Sequence, residues 1–112
     1  MTVTIYHNPK CSKSRETLAL LTEKGVAPVV VEYLKTPPSA AALKEILGQL
    51  GIPAKQLLRK KEAAEAGVDP DLAEDALIAQ MVAHPSVIER PIVVANGQAR
   101  IGRPPESVLA IL

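Results

Sequence analysis

The sequence predicts an α/β fold. One mixed four-stranded sheet is flanked by helices, with an all-helical insert between an N-terminal βαβ unit and a C-terminal ββα unit. Three observations predict it. Short apolar runs at residues 2–6 and 28–33 bracket a stretch with leucines at helical spacing, the pattern of two parallel strands joined by a crossover helix. A third run, 90–95, meets Asn96-Gly97, a strong hairpin signal. Between these halves the chain reads as helix, broken by proline and glycine.

Each element has its own warrant. Residues 2–6 alternate β-branched and polar side chains and end at Asn8-Pro9, so a short strand runs into a tight loop. A helix is expected over 12–24, with Leu18 and Leu21 on one face and Gly25 as its stop. The nearly continuous apolar run at 28–33 predicts a strand buried on both faces beside a parallel partner. Thr36-Pro37-Pro38-Ser39 breaks the chain. Ser39 is a good N-cap for a helix in which Leu43, Ile46, Leu47 and Leu50 recur at i, i+3, i+4 and i+7 before Gly51. Residues 52–66 predict a helix starting at Pro53. Residues 71–83 predict another, with Leu77, Ile78, Met81 and Val82 toward a core and His84-Pro85 as its end. After the hairpin turn, residues 98–101 return antiparallel as a fourth strand. Gly102-Arg103-Pro104-Pro105 then leads to a last helix with Val108, Ile111 and Leu112 on one face. This order of elements is thioredoxin-like, and it is expected as one domain over 1–112 with its helical insert at about 39–85.

Composition narrows the function. With 112 residues, 47% of them apolar, the chain has material for one real core. It has no Phe or Trp and only Tyr6 and Tyr33, so that core is aliphatic. A net charge of +1 carries no global signature of nucleic-acid or anionic-membrane binding, and any anion site must be local. A lone cysteine excludes an internal disulfide and fits a reducing cytosol. No signal peptide and no bilayer-spanning stretch is read, so a cytoplasmic protein is expected. Two histidines and one cysteine make no convincing metal site, and neither the phosphate-loop nor the dinucleotide glycine fingerprint occurs.

The chemistry concentrates in His7-Asn8-Pro9-Lys10-Cys11-Ser12-Lys13-Ser14-Arg15. Cys11 stands at a strand-to-helix junction among cationic and hydroxyl groups. Only the thiolate is nucleophilic; helix N-terminal N–H groups, the helix dipole and nearby Lys or Arg lower a thiol pKa from about 8.5 toward ~3.5–7.5. A buried structural cysteine would instead sit among aliphatic neighbours. Cys11-Ser12-Lys13-Ser14 keeps the Cys-x-x-Cys spacing with serine in the second place. The thiol can therefore form a mixed adduct that only an external thiol resolves. The Ser14 hydroxyl is a candidate donor to the thiolate or to a bound oxyanion. His7 is either a thiolate-stabilising group, by charge or by hydrogen bond, or a loop residue that satisfies backbone groups. Asn8 and Pro9 shape the turn that aims the thiol. Arg15 lies in the first helical turn, against the dipole, which points to a thiolate or anion that offsets it; the alternative is a solvated side chain. Pro91 stands where thioredoxin-like folds carry a cis-proline against the active thiol, and Arg90 beside it would lie near Cys11. Arg103, after the fourth strand, and Arg59, from the helical insert, are candidates to converge there too. Guanidinium groups offer planar paired donors to tetrahedral oxyanions.

Taken together, these residues resemble the glutaredoxin-coupled arsenate reductase family. The likeness is carried by residues 6–15, by Tyr33-Leu34-Lys35-Thr36-Pro37-Pro38, Leu57-Leu58-Arg59-Lys60, His84-Pro85, Arg90-Pro91-Ile92-Val93-Val94 and Gly102-Arg103-Pro104, in family order along nearly the whole chain. The resemblance implies a nucleophilic Cys11, a thiolate-stabilising His7, loop support from Ser14 and Arg15, and arsenate binding by Arg59, Arg90 and Arg103. It also implies glutathione as co-substrate, glutaredoxin as partner, and no bound metal, flavin or nicotinamide. Two other readings use the same residues. One is a monothiol glutaredoxin-like exchanger, which would not need the three distal arginines. The other is a redox-responsive transcription regulator that binds RNA polymerase, a group that typically carries Cys-x-x-Cys where this chain has Ser14.

Overall fold

The computed structural model describes residues 2–112. Its strands are β1 (Thr4–His7), β2 (Val29–Glu32), β3 (Ile92–Ala95) and β4 (Gln98–Ile101), in the spatial order β2-β1-β3-β4. β1 runs parallel to β2, with Thr4 opposite Val29 and His7 opposite Glu32. It runs antiparallel to β3, which pairs antiparallel with β4. Helix α1 (Ser12–Glu23) makes the crossover between the parallel strands. Asn96 at φ 53° and Gly97 at φ 72° both occupy the left-handed region, as a type I′ hairpin turn requires. The mixed four-stranded thioredoxin-like sheet expected from the sequence is present.

Two compact units divide the chain: one comprises the residues up to Thr36 with Arg90–Leu112, the other Pro37–Glu89. The first holds the sheet. Strand alternation puts Val3, Ile5 and His7 on one face of β1. Val3 and Ile5 meet Leu21 from α1, Val93 and Ala95 from β3, and Val108 and Ile111 from the C-terminal helix in one aliphatic core. Fully burying a side chain of this kind contributes roughly 1.5–3 kcal/mol. α1 stops where the sequence says. Gly25 at φ 79° donates its N–H to the Thr22 carbonyl, and Val26 donates to the Leu21 carbonyl while packing on the core.

Two expectations for this unit are corrected. β2 is an edge strand, with Val29 54% and Val30 46% exposed, so its apolar run does not mark burial on both faces. The last helix, Pro105–Ile111, is a 3-10 helix. Side chains three apart eclipse in that geometry, which gathers Pro105, Val108 and Ile111 in one buried row.

In the second unit, α2 (Ala40–Leu50) is capped by Ser39, whose hydroxyl accepts the Ala42 N–H at 3.1 Å. Leu43, Ile46 and Leu47 are buried, Leu50 partly so, and Gly51 at φ 71° ends the helix. The single helix expected over 52–66 is instead two, α3 (Ala54–Leu57) and α4 (Lys60–Ala66). The break has a tertiary cause. Leu58 forms an isolated bridge with Ile88, Arg59 N–H donates to the Val87 carbonyl at 2.7 Å, and Glu89 N–H donates to the Leu57 carbonyl at 2.8 Å. α5 (Glu74–Ala83) starts later than expected, because Asp69 Oδ1 takes the Asp71 N–H in a local turn. Leu77, Ile78 and Met81 are buried and Val82 is half-buried. A 3-10 turn, Pro85–Val87, follows at the expected His84-Pro85 stop. Among the described residues no helix is long and apolar enough to cross a membrane.

Candidate active site

Strand register assembles the site. Tyr6 faces Ile92 across β1 and β3, and Ile92 faces Ile101 across β3 and β4. One step further along each strand stand His7, Pro91 and Gly102. Beyond them come the Cys11 loop, Arg90 and Arg103. The Gly102 N–H donates to the Pro91 carbonyl at 2.9 Å and Arg103 Nε to the Arg90 carbonyl at 2.9 Å, so the pairing continues past the strand ends. The Arg90-Pro91 peptide is cis, in the position the fold class reserves for such a bond.

The loop is tightly tied. Cys11 N–H donates to the Asn8 carbonyl at 3.0 Å, and Lys10 N–H donates to Asn8 Oδ1 at 3.0 Å, a turn built by the asparagine. Arg15 Nη1 donates to the Pro9 carbonyl at 3.0 Å. Ser14 is fully buried, and its Oγ lies 2.6 Å from His7 Nδ1 and 3.0 Å from the Asn8 N–H. His7 reaches it because it shares the core-facing side of β1 with Ile5.

Cys11 is half-buried and takes the N-cap position of α1 with an extended backbone. The neutral thiol closes no cap bond, yet Lys13 and Ser14 supply the second and third N–H groups that an N-cap acceptor serves. Arg103 Nη2 lies 3.4 Å from Sγ. Burial pushes the thiol pKa up. The Ser14 N–H, a hydrogen bond from the Arg90 side chain, the Arg103 charge and the Lys13 N–H together outweigh it, and the thiol is held below its ordinary value. The half-exposed sulfur is therefore favoured as the thiolate, the form that can act as a nucleophile; it keeps a path to solvent and has two guanidinium groups beside it.

Some expected roles move. Burial lowers the His7 pKa, the Glu32 carboxylate opposes that and Arg15 adds to it, leaving the ring below its ordinary value and neutral at neutral pH. Of the two expected routes to thiolate support, the hydrogen-bonded one is thereby favoured over the charged one. Ser14 Oγ accepts the Asn8 N–H, and with the ring neutral and the proton on Nε2 the Ser14 O–H donates to Nδ1; with the proton on Nδ1 the ring donates to the second lone pair of Oγ. The Ser14 hydroxyl is thus engaged with His7 and Asn8, and it is the Ser14 backbone that acts on the sulfur. Arg15 braces Pro9. His7, Ser14 and Arg15 act on the loop that aims Cys11, and the thiolate is favoured by Arg90, Arg103 and the helix N-terminus.

Arg59 belongs to the second unit, at the start of α4. Its Nε lies 3.1 Å from Glu62 Oε2 and its Nη1 2.7 Å from Glu89 Oε1. Burial disfavours its charge, but the two carboxylates more than compensate and hold the guanidinium firmly protonated. Sequence reasoning gave no role to Gly102 or Thr17. The only signal was a glycine just past a strand, where close backbone approach is one reading.

Fold and site together define a thioredoxin-like protein with a single activated thiol faced by two arginines. Comparison with known proteins says which. Residues 6–111 match the model of the ArsC family. The uncharacterized protein YfgD of Escherichia coli (strain K12) is 58% identical over 98% of this chain and 96% of its own length. An arsenate reductase of Neisseria meningitidis serogroup A is 48% identical over 98% and 97% of the two chains. The solved structure of an arsenate reductase from Vibrio cholerae is 57% identical, with a TM-score of 0.92 over 100% of this chain and 98% of that one. The chain belongs to the ArsC family.

Proposed function

We propose that this protein is an arsenate reductase with Cys11 as its nucleophile. The thiolate attacks arsenic, an S–As bond forms, and hydroxide or water leaves. Arg90 and Arg103 offset the charge of the oxyanion as the adduct forms. Family likeness extends substrate binding to Arg59. Glutathione, supplying the thiol that Ser14 does not, then attacks arsenic through its thiolate, and a second hydroxide leaves as water. A glutaredoxin thiolate takes the glutathionyl sulfur as a mixed disulfide. The electron pair of the broken As–S bond stays on arsenic, which falls from the pentavalent to the trivalent state. Water or hydroxide then displaces the Cys11 sulfur from arsenic, releasing arsenite and restoring the Cys11 thiolate. The scheme uses thiols alone and calls for no bound cofactor.

What supports this reading above the other two is the pair of arginines at one sulfur, with Arg103 Nη2 at 3.4 Å from Sγ. An exchanger of glutathione adducts needs an ionised thiol but does not need two guanidinium groups to obtain it; a tetrahedral oxyanion uses both as paired donors. The test is arsenite formation by the purified protein with arsenate, glutathione and a glutaredoxin, each omitted in turn. Turnover that needs all three and disappears in Cys11→Ser is the expected result. No turnover, with Cys11 still readily alkylated near neutral pH, would assign the thiol to another electrophile and move the exchanger reading ahead.

A further inference from the structure

Gly102 is the one described glycine at which a side chain has no room. A Cβ built there would lie 2.5 Å from Thr17 Oγ1, 2.7 Å from Pro91 Cγ and 3.1 Å from Thr17 Cγ2. Gly102 and Pro91 are buried, Thr17 is fully so, and the Thr17 hydroxyl donates to the Lys13 carbonyl at 2.8 Å. Two segments therefore close on the Cα of Gly102 at the exit from β4: α1 through Thr17 and the entry to β3 through Pro91.

Each of these residues is covalently adjacent to, or on the same helix as, a group that faces Cys11. Arg90 precedes Pro91. Arg103 follows Gly102. Thr17 lies one turn beyond Lys13 and Ser14, whose N–H groups form the helix N-terminus under the sulfur. We infer that Gly102 and Thr17 are positioning residues: the close approach of Thr17 and Pro91 to Gly102 sets where Arg90, Arg103 and the α1 N-terminus stand relative to Cys11 Sγ. Neither residue touches the sulfur. A methyl group at position 102 would wedge the three segments apart, and a well-packed site answers such overpacking by shifting backbone.

The assignment rests on Cys11 as the nucleophile, but its test uses no arsenate, so the two can fail separately. Purified Gly102→Ala, Thr17→Ala and the wild type are alkylated with iodoacetamide across pH, and thermal unfolding is followed in parallel. Ile111→Ala, a core truncation in the same unit, serves as the control for lost stability alone. In Gly102→Ala the pH midpoint of alkylation is expected to rise by about one unit, which slows alkylation below the midpoint about tenfold. Thr17→Ala removes atoms instead of adding them and is expected to raise the midpoint by less. Should Gly102→Ala not fold, Thr17→Ala decides the matter. In Ile111→Ala the melting temperature falls and the midpoint stays. A folded Gly102→Ala that melts early with the wild-type midpoint, or a Thr17→Ala midpoint that does not move, would overturn the inference and leave a purely structural contact.

Discussion

At the scale of the residue, Ser14 shows how a serine in the second position of a thioredoxin-type motif is used. Its hydroxyl joins the end of β1, the start of the loop and the first turn of α1 through His7 Nδ1 at 2.6 Å and the Asn8 N–H at 3.0 Å. This arrangement is most favourable while His7 is neutral, because burial penalises the charged ring and the nearby Arg15 repels it. The consequence for stability has a definite sign. His7 titrates below 6.5 in the folded protein and near 6.5 when unfolded, so beneath that pH the unfolded chain binds more protons. Its contribution is complete above 6.5 and is lost as the pH falls through the folded value. Melting temperatures of wild type and His7→Asn between about pH 7.5 and 5 check this. Asparagine keeps an acceptor for Ser14 but does not titrate, and its curve is expected to be the flatter of the two. Identical slopes would mean that His7 charges freely in the fold. The sequence revealed the loop's membership but not its wiring. Whether His7 was a cation or a neutral ring depended on its burial, and burial is a tertiary fact.

At the scale of the element, what was legible followed from local chemistry. Gly25, Ser39 and Asn96-Gly97 ended, capped and turned their segments as read, since each acts on backbone groups within a few residues of itself. What was missed depended on distant partners. No local signal separates α3 from α4; the break comes from pairing of Leu58 with Ile88, thirty positions along. β2 reads as buried because valine runs look alike at an edge and at a centre. The last segment reads as a helix with Val108, Ile111 and Leu112 on one face, and it is helical, but its buried row is Pro105, Val108 and Ile111, the three-residue spacing of a 3-10 helix. A local device has a local cost. Ser39→Ala, which removes the acceptor of the Ala42 N–H, is expected to lower stability by about 1 kcal/mol in a urea titration. A loss indistinguishable from zero would mean that water satisfies that N–H as well as the hydroxyl does.

At the scale of the whole molecule, the meeting of Arg90 and Arg103 was in part legible. A two-residue turn at Asn96-Gly97 sets Ala95 opposite Gln98, and each further step brings the partners outward to Ile92 with Ile101, then Pro91 with Gly102, then Arg90 with Arg103. The register of β1 against β3 was not legible, because no short turn joins them, and that register carries Cys11 to the two arginines. The result is a local positive site on a chain whose net charge is only +1. Long-range steering is therefore weak, and attraction of an anion acts within a few ångströms of the sulfur. Two alkylating reagents separate this from simple thiol reactivity. Iodoacetate is an anion and iodoacetamide is neutral, so the ratio of their rates at Cys11 reports the local potential and cancels the thiolate fraction. The ratio is expected to exceed that of a small free thiol several-fold, to fall in Arg103→Ala and Arg90→Ala, and to shrink as salt rises through about 0.1 M, where screening acts over about 10 Å. A ratio unchanged by either substitution would show that the arginines bear on the thiolate alone and do not draw an anion to it, and the oxyanion reading of the site would lose its electrostatic basis.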